Sequence, residues 1–382
     1  MSTQPSILAL RDRLQAAFEA NFAAGRELGA AVSVWLDGEE IVHLCAGKTH
    51  KDRESLWSET TLAPVYSATK GPAAACLLQA LDSHGLDLDT HAIRIWPQLP
   101  PHLSVGEILS HQAGLAALTE PAEALNYPAV IRALECTEPA WTPPAHGYHP
   151  RTFGYLVDEF VRRITGAESL GAYWQETFAR PYGIDFWIGL PESEHGRVAK
   201  LYPGRPDVLG EESRFYDAFN QPGSATRRAF FSPSGLHSVA EMNQPTAWMA
   251  GLPGFGGVGS ARGLAQFYAL LATRHLLSDR ALSWASTRLV NGPDRTFLMP
   301  SAFSAGFMLD PLDAHGHKLR RIFGPEISAF GHPGAGGSHA FVAPQQRLSF
   351  AYVMNQMELS VLPQQRVQNL VQAVFAGPIG KS

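Results

Sequence analysis

The chain has 382 residues, enough for two structural domains or one large domain with an insertion, and its 45% hydrophobic and 17% charged content suits a large buried core. A formal net charge of −5, with the 30 basic residues scattered along the chain, excludes a surface that tracks nucleic-acid phosphates. No stretch reaches the roughly 18 apolar residues of a membrane helix, and Met1-Ser2-Thr3-Gln4-Pro5-Ser6 is not a basic region leading into an apolar one, so a cytosolic protein is expected.

Leu8 to Ala24 places Leu10, Leu14, Ala17, Phe18 and Phe22 near the helical period, which predicts an amphipathic helix. Ala30 to Ala46 alternates apolar and polar residues about Asp37-Gly38 and predicts a β-hairpin. An apolar run from Ala73 to Leu81 reads as a helix stopping near Gly85. From about 90 to 260 the chain is rich in Pro, Trp and Tyr, with short helical patterns such as Phe153 to Ile164 and irregular stretches around 190 to 250. A helix over Leu264 to Ala272 follows, then strands at Ala305 to Leu309, His339 to Ala343 and Leu348 to Asn355, and a last helix at Gln364 to Phe375. This order predicts an α/β domain from residues 1–90 and 261–382, interrupted by a helical, loop-rich insertion over 91–260, with a cleft between them.

Cys45, Cys76 and Cys136 are far apart and form no Cys-x-x-Cys, so they read as buried small apolar residues. The close histidine pairs His146/His149, His315/His317 and His332/His339 lack carboxylate or cysteine company at ligand spacing, and neither a metal nor another cofactor is expected. Gly254 to Gly259 is not followed by Lys-Ser or Lys-Thr and reads as a tight loop beside the cleft. The aromatics Trp141, Trp174, Trp187, Phe230, Phe231, Trp248 and Phe255 read as core, with some free to line a pocket.

The chain contains neither Gly-x-Ser-x-Gly nor His-Glu-x-x-His, which removes the nucleophile elbow and the zinc peptidase. Ser67-Ala68-Thr69-Lys70 precedes the apolar helix, and residues three apart share a helix face, so the Lys70 amine can reach the Ser67 hydroxyl. A lysine with a lowered pKa can take the proton that makes a serine nucleophilic. The same four letters also fit a serine cap followed by an exposed lysine. Pro72, five residues after Ser67, would remove a hydrogen bond from any regular helix starting there.

Four segments together resemble the serine β-lactamase and penicillin-binding superfamily: Tyr66 to Gly71, Leu109-Ser110-His111-Gln112-Ala113-Gly114-Leu115, Gly147-Tyr148-His149, and Phe330 to Ser338. Within it the chain is similar to the family VIII carboxylesterases, over roughly residues 8 to 375. The resemblance implies an antiparallel β-sheet flanked by terminal helices, with a mostly helical inserted domain. It also implies a serine esterase for a small-molecule ester with a small to medium acyl group. By it, Ser67 is the acylated nucleophile, Lys70 its activating partner, and Tyr148 a proton-transfer group whose phenol serves as a base only if cations such as Lys70 depress its pKa.

His332-Pro333-Gly334 stands where the family carries Lys-Thr-Gly. By the resemblance, Gly334 lets substrate approach the strand, and the Ala335 N–H completes an oxyanion hole with that of Ser67. A largely neutral imidazole at His332 would hold a β-lactam carboxylate weakly, Pro333 lacks the threonine hydroxyl, and His149-Pro150 replaces an asparagine. These departures favour uncharged esters, with β-lactam hydrolysis at most a weak side activity. A β-lactamase or D-Ala-type peptidase is the alternative enzyme, and a catalytically silent binding or scaffold relative the alternative of another class. The oligomeric state is left open.

Overall fold

Two sheets organise the chain in the computed structural model, which describes residues 4–204 and 212–377. In chain order the strands are β1 (Gly29–Leu36), β2 (Glu39–Gly47), β3 (Ala63–Pro64), β4 (Phe186–Trp187), β5 (Val258–Gly259), β6 (Val290–Pro293), β7 (Pro300–Phe303), β8 (Met308–Leu309), β9 (Phe330–Pro333), β10 (His339–Ala343) and β11 (Leu348–Met354). Eight of them form one antiparallel sheet in the order β2-β1-β11-β10-β9-β8-β7-β6, while β3, β5 and β4 form a short second sheet.

The predicted hairpin is β1–β2, and Asp37 and Gly38 both take positive φ (53° and 87°), as a two-residue turn between right-twisted strands requires. The other edge of β1 pairs with β11, the last strand, with Leu36 opposite Leu348 and Ala30 opposite Met354. Alternation along β1 sends Val32 and Val34 into one apolar layer with Leu10 and Leu14 of α1 (Gln4–Ala23) and Val367 and Leu370 of the helix Gln365–Phe375. Ala31 joins the other layer, with Leu264 and Ala265 of the helix Ala261–Ala272. The antiparallel sheet, the terminal helices and the helices behind it are the mixed α and β architecture expected.

The apolar run becomes α2 (Lys70–Ser83), buried from Lys70 through Leu78 and packed against the helix Thr152–Thr165. Pro72 is accommodated by a change of helix type. Tyr66–Thr69 is a 3-10 turn and the α-helix starts at Lys70, so Pro72 sits in the first α-turn, where N–H groups have no intrahelical acceptor.

Three expectations change. The strand predicted over Ala305 to Leu309 shrinks to Met308–Leu309, because Gly306 takes φ 87° and donates to Leu109 O and Ser304 O, bending the chain away from the ladder. Of the cysteines only Cys76 is buried; Cys45 is half-buried and Cys136 is exposed just past the helix Tyr127–Glu135. The irregular stretch around 190 to 250 contains short helices at Ser213–Asn220, Ala225–Phe231, Val239–Met242 and Pro245–Met249, and residues 205–211 of it lie outside the described residues. Among the described residues no helix is long and apolar enough to cross a membrane.

One close backbone approach ties the helix Thr152–Thr165 to the glycine-rich loop. A Cβ at Gly154 in the helix Thr152–Thr165 would lie 2.2 Å from Gly254 N and 2.7 Å from Gly254 Cα. Backbone cannot swing aside as a side-chain tip can, so Gly154→Ala is expected to lower stability by about 1–3 kcal/mol, read as a lower denaturation midpoint at unchanged m-value.

Candidate active site

Ser67 is half-buried in the 3-10 turn that leads into α2, and Tyr66 immediately before it has φ 48°, a left-handed conformation uncommon for a side-chain-bearing residue. The turn is tied down by Thr69, whose hydroxyl donates to Tyr66 O and accepts from Gly257 N at 2.9 Å. Gly257 belongs to the glycine-rich loop, which is therefore a wall of the site.

Lys70 has no solvent exposure. Its Nζ donates to Pro150 O at 2.8 Å and Gly254 O at 2.6 Å, and lies 3.3 Å from Ser67 Oγ. Burial, with the nearby Arg151 cation, holds its pKa well below that of an ordinary lysine. A neutral amine has two N–H groups and one lone pair. In that form, with the two carbonyls taking the hydrogens, the lone pair is left for the Ser67 hydroxyl, as a base requires. The reading as an exposed lysine after a serine cap is thereby removed.

Tyr148 is held by its backbone on both sides. Gly147 N donates to His111 O at 3.1 Å, His149 N donates to His111 Nδ1 at 3.2 Å, and Tyr148 N donates to both carboxylate oxygens of Asp294 at 3.1 Å. Asp294 also accepts from Thr296 N, Phe297 N and Ser301 Oγ at 2.7–2.8 Å. The Tyr148 ring stacks on Phe297 at 4.5 Å and 13°, and Lys70 Nζ lies 4.9 Å from its centroid. The condition for a phenolate base, a pKa depressed by nearby cations, is not met. Burial raises the Tyr148 phenol above its ordinary value and the neighbouring Ser67 hydroxyl draws it only partly back, so the group is a proton donor at neutral pH.

His332, at the end of β9, is buried with its ring 5.8 Å from that of Tyr148 and its Nδ1 2.8 Å from Pro333 O. Burial, and then the proximity of Lys70, push its pKa well below the ordinary value, so the imidazole is neutral at pH 7. Gly334 is also required by the chain itself. A Cβ there would sit 2.0 Å from Val65 O, so the space a side chain would need is filled by the segment leading into Ser67. Next to it, Ala335 lines the same two recesses as Ser67, and neither the Ala335 nor the Ser67 N–H has an acceptor among the described residues. Arg366 donates to Gly336 O at 3.3 Å and fixes the far side of this turn.

The larger recess has a volume of about 240 Å³ and includes Tyr66, Ser67, Arg151, Phe215, Phe230 and Phe255; the smaller, about 20 Å³, includes Ser67, Tyr148, Phe297, Met308 and His332. A cavity of about 650 Å³ behind Gly251-Leu252-Pro253 reaches none of Ser67, Lys70 or Tyr148. Sequence reasoning missed Arg151, which is 6% exposed, donates to the carbonyls of Gly235 and Leu236, and stacks over Phe255 at 4.3 Å. It also missed Asp294 and the carbonyls of Pro150 and Gly254. Arg151 lies only three residues past Tyr148, a signal that was available.

Comparison with known proteins gives the chain a family. A family model described as Beta-lactamase matches residues 14–374. An "Esterase/beta-lactamase LipL" of Mycobacterium tuberculosis is 27% identical over 361 residues, covering 89% of this chain and 80% of that protein. The crystal structure of a penicillin-binding protein homolog from Caulobacter crescentus is 31% identical, with TM-score 0.83 and coverage of 96% and 97% of the two chains. That of a family VIII carboxylesterase is 30% identical, with TM-score 0.84 and the same coverage.

The Arg151 cation opposes protonation of Lys70. Arg151→Gln is therefore expected to raise the Lys70 pKa and move the acid limb of Ser67 reactivity to higher pH. The pH profile of the rate of covalent labelling by a fluorophosphonate measures this, and an unmoved limb would refute the coupling.

Proposed function

This chain belongs to the Beta-lactamase family, and from that premise we propose that it is a serine carboxylesterase that hydrolyses small to medium acyl esters through an acyl-enzyme at Ser67. The observation that carries the reading is the fully buried Lys70 Nζ, held within hydrogen-bond distance of two backbone carbonyls and of Ser67 Oγ.

In the proposed cycle the Ser67 proton passes to Lys70 Nζ as Oγ adds to the ester carbonyl carbon. The resulting ammonium is stabilised where it forms, by Pro150 O, Gly254 O and the face of the Tyr148 ring. The N–H groups of Ser67 and Ala335 receive the oxyanion. As the tetrahedral intermediate collapses, the C–O bond to the alcohol breaks, and the Tyr148 hydroxyl gives its proton to the leaving oxygen and regains one from Lys70. Water then runs the sequence in reverse: it gives a proton to Tyr148 as Tyr148 passes its own to Lys70, its oxygen adds to the acyl carbon, and the C–O bond to Ser67 breaks as Oγ takes a proton back from Lys70.

The relatives also include a protein named as an esterase/beta-lactamase and a penicillin-binding protein homolog, which keeps β-lactam hydrolysis in view. The neutral His332 supplies no cation for the carboxylate of such a substrate, which supports the esterase reading and only weak β-lactam turnover. A catalytically silent scaffold has no chemical use for a desolvated amine against a serine.

Ser67→Ala is expected to reduce p-nitrophenyl butyrate hydrolysis by about 10⁴-fold or more while leaving the circular dichroism spectrum unchanged. Nitrocefin run on the same samples should show little turnover; strong nitrocefin turnover without ester turnover would move the protein to the lactamases. His332→Lys should lower the nitrocefin KM by adding a cation, and an unchanged KM would count against the charge argument.

A further inference from the structure

We propose that the preferred substrate carries an aromatic ring in its acyl half and a small alcohol in its other half, an inference that rests on the esterase reading above. The two recesses that meet at Ser67 are unequal in size and in chemistry. Tyr148 lines only the smaller one. A leaving alcohol must receive a proton from that phenol, so its oxygen lies on the Tyr148 side, where the narrower recess of about 20 Å³ favours a short alkyl group over a ring. The acyl chain is thereby directed into the larger recess.

Aromatic rings make up much of the wall of that recess, Tyr66, Phe215, Phe219, Phe230, Phe231 and Phe255, with the charged Arg151 and Glu358 also on its lining. Within it, Phe215 and Phe230 meet at 5.2 Å and 71°, and Phe219 and Phe230 at 5.7 Å and 77°, the edge-to-face geometry that a further ring extends. An apolar cavity of about 150 Å³ accommodates a benzene molecule, so about 240 Å³ holds one ring with a short linker back to the ester carbon. A straight alkyl chain fills such a space less completely and makes no ring–ring contacts.

The test uses the unmodified protein and two isomeric esters of alkyl alcohols, methyl 3-phenylpropanoate and 2-phenylethyl acetate, which place the same ring on opposite sides of the ester. Methyl butanoate and methyl 3-cyclohexylpropanoate control for length and for bulk. The expected kcat/KM for methyl 3-phenylpropanoate exceeds that of its isomer and of methyl butanoate by about tenfold or more, with the cyclohexyl analogue below it. Equal rates for the isomers, or a reversed order, overturn the assignment of the halves. A cyclohexyl ester as good as the phenyl ester overturns the aromatic preference. Mass spectrometry of the Ser67 adduct formed with a fluorophosphonate, whose fluoride leaving group makes no demand on the smaller recess, separates the two levels. An adduct without ring selectivity sinks only this inference, and no adduct and no turnover sinks the esterase reading with it.

Discussion

A lysine amine held away from water with no carboxylate beside it is the constraint around which this molecule is arranged. Burying an ammonium without a counter-charge costs several kcal/mol, so the fold selects the neutral amine. A neutral amine still has to place two hydrogens and a lone pair. Pro150 O and Gly254 O, contributed from 80 and 184 residues away along the chain, accept the first two, and the lone pair is left for Ser67. The chemistry of the serine thus follows from how the backbone around Lys70 is packed.

That packing depends on features with no catalytic look of their own. The contact between Gly154 and Gly254 sets how near the Gly254 carbonyl comes to α2. Asp294 and His111 grip the backbone on either side of Tyr148, which leaves the phenol little freedom to wander from Ser67. On the opposite wall the turn after β9 lies directly on Val65, so the Ala335 and Ser67 N–H groups are positioned by one shared contact rather than by two separate loops. A site assembled on strand ends and helix starts in this way keeps its geometry better than one carried by free loops.

What could be read from the sequence was local. The β1–β2 hairpin follows from Asp37-Gly38 and alternation, and the terminal helices from their apolar period. Ser67 and Lys70 could be paired because residues three apart share a face. Strands β6 and β7, Val290–Pro293 and Pro300–Phe303, went unnoticed because two of their eight residues at the shared end are proline and another is glycine; their pairing is imposed by neighbours. The acceptors of Lys70 are backbone carbonyls, and a carbonyl has no letter. The contact of Gly334 with Val65 O joins segments far apart in the sequence, which only three-dimensional proximity supplies.

The register of β1 between β2 and β11 bears on how the protein comes to exist. Gly29–Leu36 is made early, is almost entirely apolar, and has to wait for residues 348–354 before its second edge is hydrogen-bonded. Throughout most of synthesis on the ribosome this strand presents an unpaired, sticky border of the kind that recruits strands from other chains. During that interval, protection of the border, and not the stability of the finished fold, is what keeps the strand from pairing with other chains.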